Sequence, residues 1–154
     1  MVDSKFVYNF TRSNRRFGPG FNRNIMLIAI KDETFAGDIL NEIELEFASE
    51  LGTIKDIIEA RVLEEVRRYN DKRPEFFNGL VEPNDAERTL NGFKLKNKRA
   101  VDGEKQVYIA LDAFTRNAFF MLVDDRQAET LEEEVRLSKS TRISFVKLTP
   151  LVGG

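Results

Sequence analysis

Between Asn24 and Tyr69 the spacing of apolar residues changes once, and that change limits the fold more than any other part of the sequence. Ile25 to Ile30 is a continuous apolar run, and the segment Lys31 to Leu40 turns through Gly37. Glu42 to Phe47 then reads EIELEF, with Ile43, Leu45 and Phe47 at every second position, the period of a half-buried strand. From Thr53 the period becomes helical. Ile54, Ile57, Ile58, Val62, Val66 and Tyr69 form one stripe, and Glu59, Arg61, Glu64, Glu65, Arg67 and Arg68 are assigned to the other side. Thr53 and Asp56 have the spacing of a capping box, in which each side chain satisfies a backbone N–H at the helix start. A hairpin with one apolar face, followed at once by an amphipathic helix, predicts an α+β fold with the helix laid across a sheet.

The last third of the chain supplies more strands. Phe119 to Val123 is a strand-like run, Asp124 and Asp125 mark a turn, and Gln127 to Leu131 is expected to return as a short strand. Ile143 to Leu148 reads as a final strand, after which Thr149, Pro150, Leu151 and Val152 lead to Gly153 and Gly154. Between the helix and these strands, about 71–116 reads as an insertion within one domain. Pro83 to Leu90 is expected to form a short helix ended by Asn91-Gly92, and Asp102 to cap a second helix running through Val107, Ala110 and Phe114. Phe76, Phe77, Leu80, Val81, Phe93 and Leu95 are the residues expected to pack this insertion on the core.

Composition removes several classes of function. The 154 residues contain no cysteine and no histidine, so disulfides, the usual zinc sites and the commonest general base are all missing. No apolar run approaches the roughly 20 residues of a membrane span, and the first residues lack the layout of a signal peptide, so a cytoplasmic protein is expected. The net charge of −2 argues against general affinity for nucleic acid, yet the charge is uneven. Residues 1–24 form a basic aromatic arm, in which Lys5, Arg12, Arg15, Arg16 and Arg23 face Asp3 alone and Phe6, Tyr8 and Phe10 are interspersed. Three readings of the arm stay open: a weakly ordered leader, a docking element for an enzyme or a neighbouring copy, and, least favoured, an RNA-contacting tail that stacks its aromatics and arginines on bases. The basic run KLKNKR at 94–99, and Asp124, Asp125 and Glu132 to Glu134, read as solvated loops.

Strand, strand, helix, strand, short strand and final strand, in that order and ending LVGG, resembles the ubiquitin-like β-grasp proteins over about residues 25–70 and 117–154, and TIKDIIEARV looks like the start of the ubiquitin helix. The resemblance implies a mixed sheet in which Ile25–Ile30 and Ile143–Leu148 pair in parallel, with one main crossing helix and a partly helical insertion before the third strand. It further implies a single domain over 25–152, a flexible tail at 149–154, no cofactor and no catalytic residue of its own. Gly154 would carry the carboxylate that is conjugated, Gly153 would give clearance in an enzyme channel, and Leu151 and Val152 would be read by the enzymes. Ubiquitin-like tails often carry arginines before the glycines, whereas Pro150, Leu151 and Val152 stand here.

With its long insertion, the chain looks like the modifiers of bacterial ubiquitination-like operons, some linked to antiphage defence. The implied partners are an E1-like activating enzyme, an E2-like conjugating enzyme, a deconjugating peptidase and target proteins, with self-association through the arm (Phe6, Tyr8, Phe10, Arg12, Arg15, Arg16) as a further expectation. Two alternatives stay open: a sulfur carrier using a C-terminal thiocarboxylate, and a β-grasp assembly module that is never conjugated.

Overall fold

A computed structural model describes residues 7–8 and 25–148. The elements in chain order are β1 (Val7–Tyr8), β2 (Met26–Glu33), β3 (Ile39–Phe47), β4 (Leu51–Thr53), α1 (Ile54–Lys72), β5 (Ala86–Thr89), β6 (Gly92–Leu95), a single 3-10 turn (Lys96–Lys98), α2 (Gly103–Thr115), β7 (Phe119–Val123), β8 (Arg126–Gln127), β9 (Glu134–Arg136) and β10 (Ile143–Lys147). The fold is α+β. Its main sheet is mixed and runs β1-β3-β2-β10-β7-β8, with β4-β9 and β5-β6 as separate two-stranded ladders.

The hairpin expected from the period-two pattern is β2 and β3, paired antiparallel from Met26↔Phe47 to Glu33↔Ile39 with an irregularity at Asp32/Glu33. Both strands run further than the apolar run alone suggested, because Gly37, at φ +91°, turns the chain only after Glu33. β10 enters the middle of the sheet, parallel to β2 (Ile143↔Ile30) and antiparallel to β7 (Ile143↔Val123). The expected parallel pairing of Ile25–Ile30 with Ile143–Leu148 is therefore present.

α1 begins as its sequence predicts. Thr53 Oγ1 accepts the Asp56 N–H at 3.2 Å while the Asp56 carboxylate accepts the Thr53 N–H at 2.9 Å. The incoming chain adds a second anchor: β4 pairs with β9, and the Ile54 and Lys55 N–H groups donate to the carbonyls of Glu133 and Leu131. Ile54, Ile57, Ile58 and Val62 are fully buried against the sheet residues Ile28, Ile30, Leu45 and Phe145. At about 1.5–3 kcal/mol for each large aliphatic side chain buried, this stripe fixes α1 across the sheet.

The insertion follows. α2 is capped by Asp102, whose carboxylate accepts the Lys105 N–H, and it packs beside α1. The helix expected over Pro83–Leu90 is not formed. A turn at Asn84-Asp85, with Asp85 at φ +61°, leads instead into the β5-β6 hairpin, whose Gly92 sits at φ +128°. That hairpin gives Phe93 a bridge to Phe77, N–H to O at 2.8 and 2.9 Å, a pairing that a helix here could not make. Phe77, Leu80 and Leu95 are buried and Val81 and Phe93 pack against the core as expected, while Phe76 is only half-buried. The short return strand is β8 alone, two residues where a longer one was expected at 127–131; beyond it Leu131 and Glu133 turn aside to meet the start of α1.

Candidate functional site: the exit of the last strand and the groove beside it

β10 hands the chain to its tail. Lys147 closes the strand and Leu148, partly exposed, is the last described residue. The expected conjugation residues Gly153 and Gly154 and the expected recognition residues Leu151 and Val152 lie outside the described residues. Phe6, Phe10, Arg12, Arg15 and Arg16 of the arm do so as well, whereas Tyr8 belongs to β1. What the structure fixes is the root of the tail. It leaves from a central strand held on both sides, so the position of residue 148 follows the whole sheet.

Beside that root lies a groove of about 910 Å³ between the sheet and the insertion. Leu40, Leu148, Phe119 and Ile109 give it apolar walls, and the β5-β6 hairpin overhangs it with Leu90 and Phe93. Leu90, at the hairpin tip, is fully exposed. Asp32 and Lys147 bring charge to the same groove.

Asp32 belongs to a buried ionic network that assigning helix faces by polarity did not foretell. Arg61, assigned by its charge to the solvent side of α1, is fully buried and one of the largest buried side chains among the described residues. Its guanidinium grips the Asp32 carboxylate with two N–H groups, Nη1 to Oδ1 and Nη2 to Oδ2, the latter at 2.7 Å. Its Nε donates to Glu65 Oε1 at 2.7 Å, and its plane lies 4.4 Å from the centre of the Phe145 ring. The other Glu65 oxygen accepts the Leu80 N–H at 3.0 Å. Lys147 Nζ stands 3.5 Å from Asp32 Oδ2 and donates to the Gly79 carbonyl at 3.2 Å. One network thus ties β2, α1, β10 and the start of the insertion together at the groove.

Burial by itself would lower the Arg61 pKa, but the charges of Glu65 and Asp32 and the hydrogen bonds to both outweigh it, and the guanidinium is held above its ordinary value. It is a fixed positive charge. A second cluster lies one turn on, where Glu64 accepts from Arg67 at 2.8 Å and from Arg68 at 2.7 Å. Burial pushes the Glu64 carboxyl up, the two arginines together pull it down further, and its pKa ends below the ordinary value.

The insertion is tied down by polar side chains elsewhere too. Asn70 of α1 makes a reciprocal pair with the backbone of Val101, 2.9 Å to its carbonyl and 2.8 Å from its N–H. Gln106 of α2, also buried, donates to the Val81 carbonyl at 2.7 Å. Gly79 is required by contact: a Cβ there would stand 2.3 Å from the Phe77 ring. A smaller groove of about 260 Å³ opens on the other side of the insertion, between β3 and the end of α1, with Ile43, Phe76 and Tyr69 in its walls. The Tyr69 hydroxyl is buried and has no hydrogen-bond partner among the described residues.

Both charged stretches seen in the sequence are exposed. Lys94, Lys96, Lys98 and Arg99 face solvent, and Arg99 reaches back to the Asn84 carbonyl and toward Asp85. Asp124 accepts the Arg142 N–H, Asp125 pairs with Arg142, and Glu133 pairs with Arg126, so these acids close turns. Among the described residues no cluster of acidic side chains has the arrangement of a metal site, and no helix is long and apolar enough to cross a membrane. No known protein family matches this chain, and neither does any curated protein or any solved structure.

Proposed function

We propose that this chain is a ubiquitin-like protein modifier of the β-grasp type, whose Gly154 carboxylate is activated by an E1-like enzyme with ATP and passed to target proteins. The observation that carries the reading is the order β3-β2-β10-β7-β8, with β2 and β10 parallel at the centre and α1 following the hairpin directly. The parallel pairing of β2 with β10 is the part of it that the resemblance implies, and it supports the reading. The root of the tail at Leu148 supports it further, because β10 is held between β2 and β7 and so fixes where the chain passes into its tail.

In this reading the chain is the acyl donor and the chemistry belongs to its partners. The carboxylate displaces pyrophosphate from ATP to give an acyl-adenylate. A partner's thiolate or hydroxyl then attacks the carbonyl, AMP leaves, and an amine or hydroxyl of the target takes the acyl group. Gly153 and Gly154 have no Cβ, which lets the backbone pass a narrow channel and keeps the carbonyl open to attack. Leu151 and Val152 are the apolar contacts that enzymes would read, and the absence of cysteine and histidine suits a donor that must not react with itself.

The test uses the position of Lys147. Trypsin cuts after it, so a conjugated target lysine would carry the remnant Leu148 to Gly154, LTPLVGG, as a branch. Cells expressing the chain with its activating and conjugating enzymes are expected to yield branched peptides with that added mass, and a chain lacking Gly154 to yield none. Branched peptides missing from the intact chain, or undiminished conjugation without Gly154, would sink the proposal. A C-terminal mass shift of one oxygen replaced by sulfur, with no branching, would indicate a sulfur carrier instead.

A further inference from the structure

The end of α1 and the insertion bring together two basic stretches that are far apart in the sequence. Lys72 and Arg73 close the helix, and Lys94, Lys96, Lys98 and Arg99 belong to β6 and the 3-10 turn with its cap. The join is direct. Arg73 donates from Nη1 to the Lys98 carbonyl at 3.0 Å and from Nε to the Asn70 carbonyl at 3.1 Å, while Asn70 holds both backbone groups of Val101. The turn is therefore fixed against the helix end, and all six basic residues are exposed.

Within the chain these charges are poorly matched. Lys94 meets Glu75 only at 3.8 Å, and Arg99 meets Asp85 only at 3.9 Å. Lys72, Arg73, Lys96 and Lys98 form no ion pair among the described residues, although the chain holds 26 acidic residues. Crowding cations in one place costs stability through their mutual repulsion. The helix accounts for two of them, because Lys72 and Arg73 suit the negative end of the α1 dipole. The Lys96 and Lys98 side chains have no partner of any kind among the described residues.

Backbone conformation points the same way. Seven non-glycine residues among those described have positive φ, and five of them are Asn or Asp, the types that tolerate it. The other two are Arg73 at φ 46° and Lys98 at φ 49°, the pair joined across the patch. Glycine would be less strained at both positions. Arg73 offsets the strain with its two hydrogen bonds, whereas the Lys98 side chain makes none within the described chain.

Cations held on a fixed backbone suit an anionic ligand, because little freedom is lost when it binds. The outline of the patch favours a short ligand. Asp71 and Glu75 flank Lys72 and Arg73, Asp85 lies by Arg99, and Asp102 and Glu104 follow in the chain. A nucleic-acid strand is charged at every nucleotide and would run on past the six cations to meet these acids. A short run of Asp and Glu ends before it reaches them.

We propose that Lys72, Arg73, Lys94, Lys96, Lys98 and Arg99 form a docking surface for a short acidic segment of a partner protein. Carboxylates of that segment accept hydrogen bonds from Lys96 and Lys98, while Arg73 keeps the turn in place against the helix end. The surface stands apart from conjugation at Gly154 and shares no residue with the groove beside the tail root.

The test titrates the full-length, isotope-labelled chain with a blocked peptide of six glutamates and follows its amide resonances. A chain of net charge −2 has no general attraction for such a peptide. Saturable shifts are expected at 72–73 and 94–99, with an apparent Kd that rises at least threefold from about 50 to about 150 mM salt. Lys96→Glu/Lys98→Glu is expected to weaken binding about tenfold or more. Lys55→Glu/Lys139→Glu makes the same change in net charge at exposed positions elsewhere and should weaken it less than about twofold. Lys98→Gly separates binding from damage to the fold: it should raise the thermal midpoint by relieving the left-handed backbone, yet weaken binding several-fold.

No saturable shifts, shifts confined to residues 1–24, or equal weakening by the two double variants would each overturn the proposal. Tighter binding of a six-nucleotide thymidine strand, or of inorganic phosphate, at the same residues would overturn an acidic protein as the partner. A Lys98→Gly chain that binds the peptide as the original does would overturn the role given to Lys98.

Discussion

The helix-crossed hairpin and the insertion are held in different ways. β2, β3 and α1 meet through Ile28, Ile30, Leu45, Phe47, Ile54, Ile57 and Ile58, contacts that follow from two short periodicities within some forty-five residues of chain. The insertion buries Phe77, Leu80 and Leu95, but its position depends on polar anchors drawn from distant parts of the sequence: Glu65 to Leu80, Asn70 to Val101, Gln106 to Val81 and Lys147 to Gly79. Apolar contact is non-directional, whereas a hydrogen bond sets both a distance and an angle between its partners. The first region therefore sets the fold, and the second sets where the groove walls stand relative to the tail root.

That contrast can be broken most severely at Arg61, which grips Asp32 of β2 and holds Glu65, the side chain that anchors Leu80. Arg61→Ala leaves Asp32 buried with only Lys147 near it, and a loss of about 3–5 kcal/mol is expected in chemical denaturation. If the cost comes from the orphaned charge, Arg61→Met combined with Asp32→Leu should be clearly less destabilised than Arg61→Ala alone. Equal stability of these two chains would place the cost in packing instead.

Asn70→Ala should cost about 1–3 kcal/mol, since it strips partners from the Val101 N–H and C=O. Its effect is expected to be regional, with faster hydrogen exchange over 96–106 and little change in β2 and β10. Uniform acceleration would mean that sheet and insertion open together. Thr53→Ala removes half of the capping box and should cost about 0.5–2 kcal/mol, with the faster exchange confined to the first turn of α1.

The smallest expected effect is that of pH. Glu64 has a folded pKa below its unfolded value, so its contribution is complete above the ordinary carboxylate value of 4.5 and is lost as pH falls through the lower folded value. Glu64→Gln should flatten that acid-side loss in a pH series of denaturation midpoints, and an unchanged slope would remove Glu64 from the account. Arg61 makes no such contribution near neutrality, because its pKa is raised from an ordinary value that already lies far above neutral pH.

Part of the ionic network was legible in the sequence. Arg61 follows Ile54 by seven residues, Ile57 by four and Ile58 by three, so it falls on the apolar stripe and not opposite it. Asp32 continues the alternation Met26, Ile28, Ile30, and Lys147 continues Ile143, Phe145. Three charges at core-facing positions signal a buried network once each element is extended to its true length. Assigning residues to a helix face by polarity alone hid Arg61. In the insertion the misreading has another cause: Pro83 to Leu90 has local cues for a helix, but the Phe77–Phe93 bridge, sixteen residues in span, gives the hairpin a partner that no local signal carries.

The sequence by itself determined the hairpin, the capped helix, the second capped helix and the last strand, because periods of 2 and 3.6 and a capping box act within a few residues of chain. Only the tertiary structure decided that Arg61 faces Asp32, that Leu80 and Gly79 are pinned by Glu65 and Lys147, that Val7 and Tyr8 lie beside Glu46 and Phe47, and hence where the groove stands beside the root of the tail. Each of those contacts joins residues at least fifteen apart. Which one forms depends on how the elements already in place bring charges and free strand edges together.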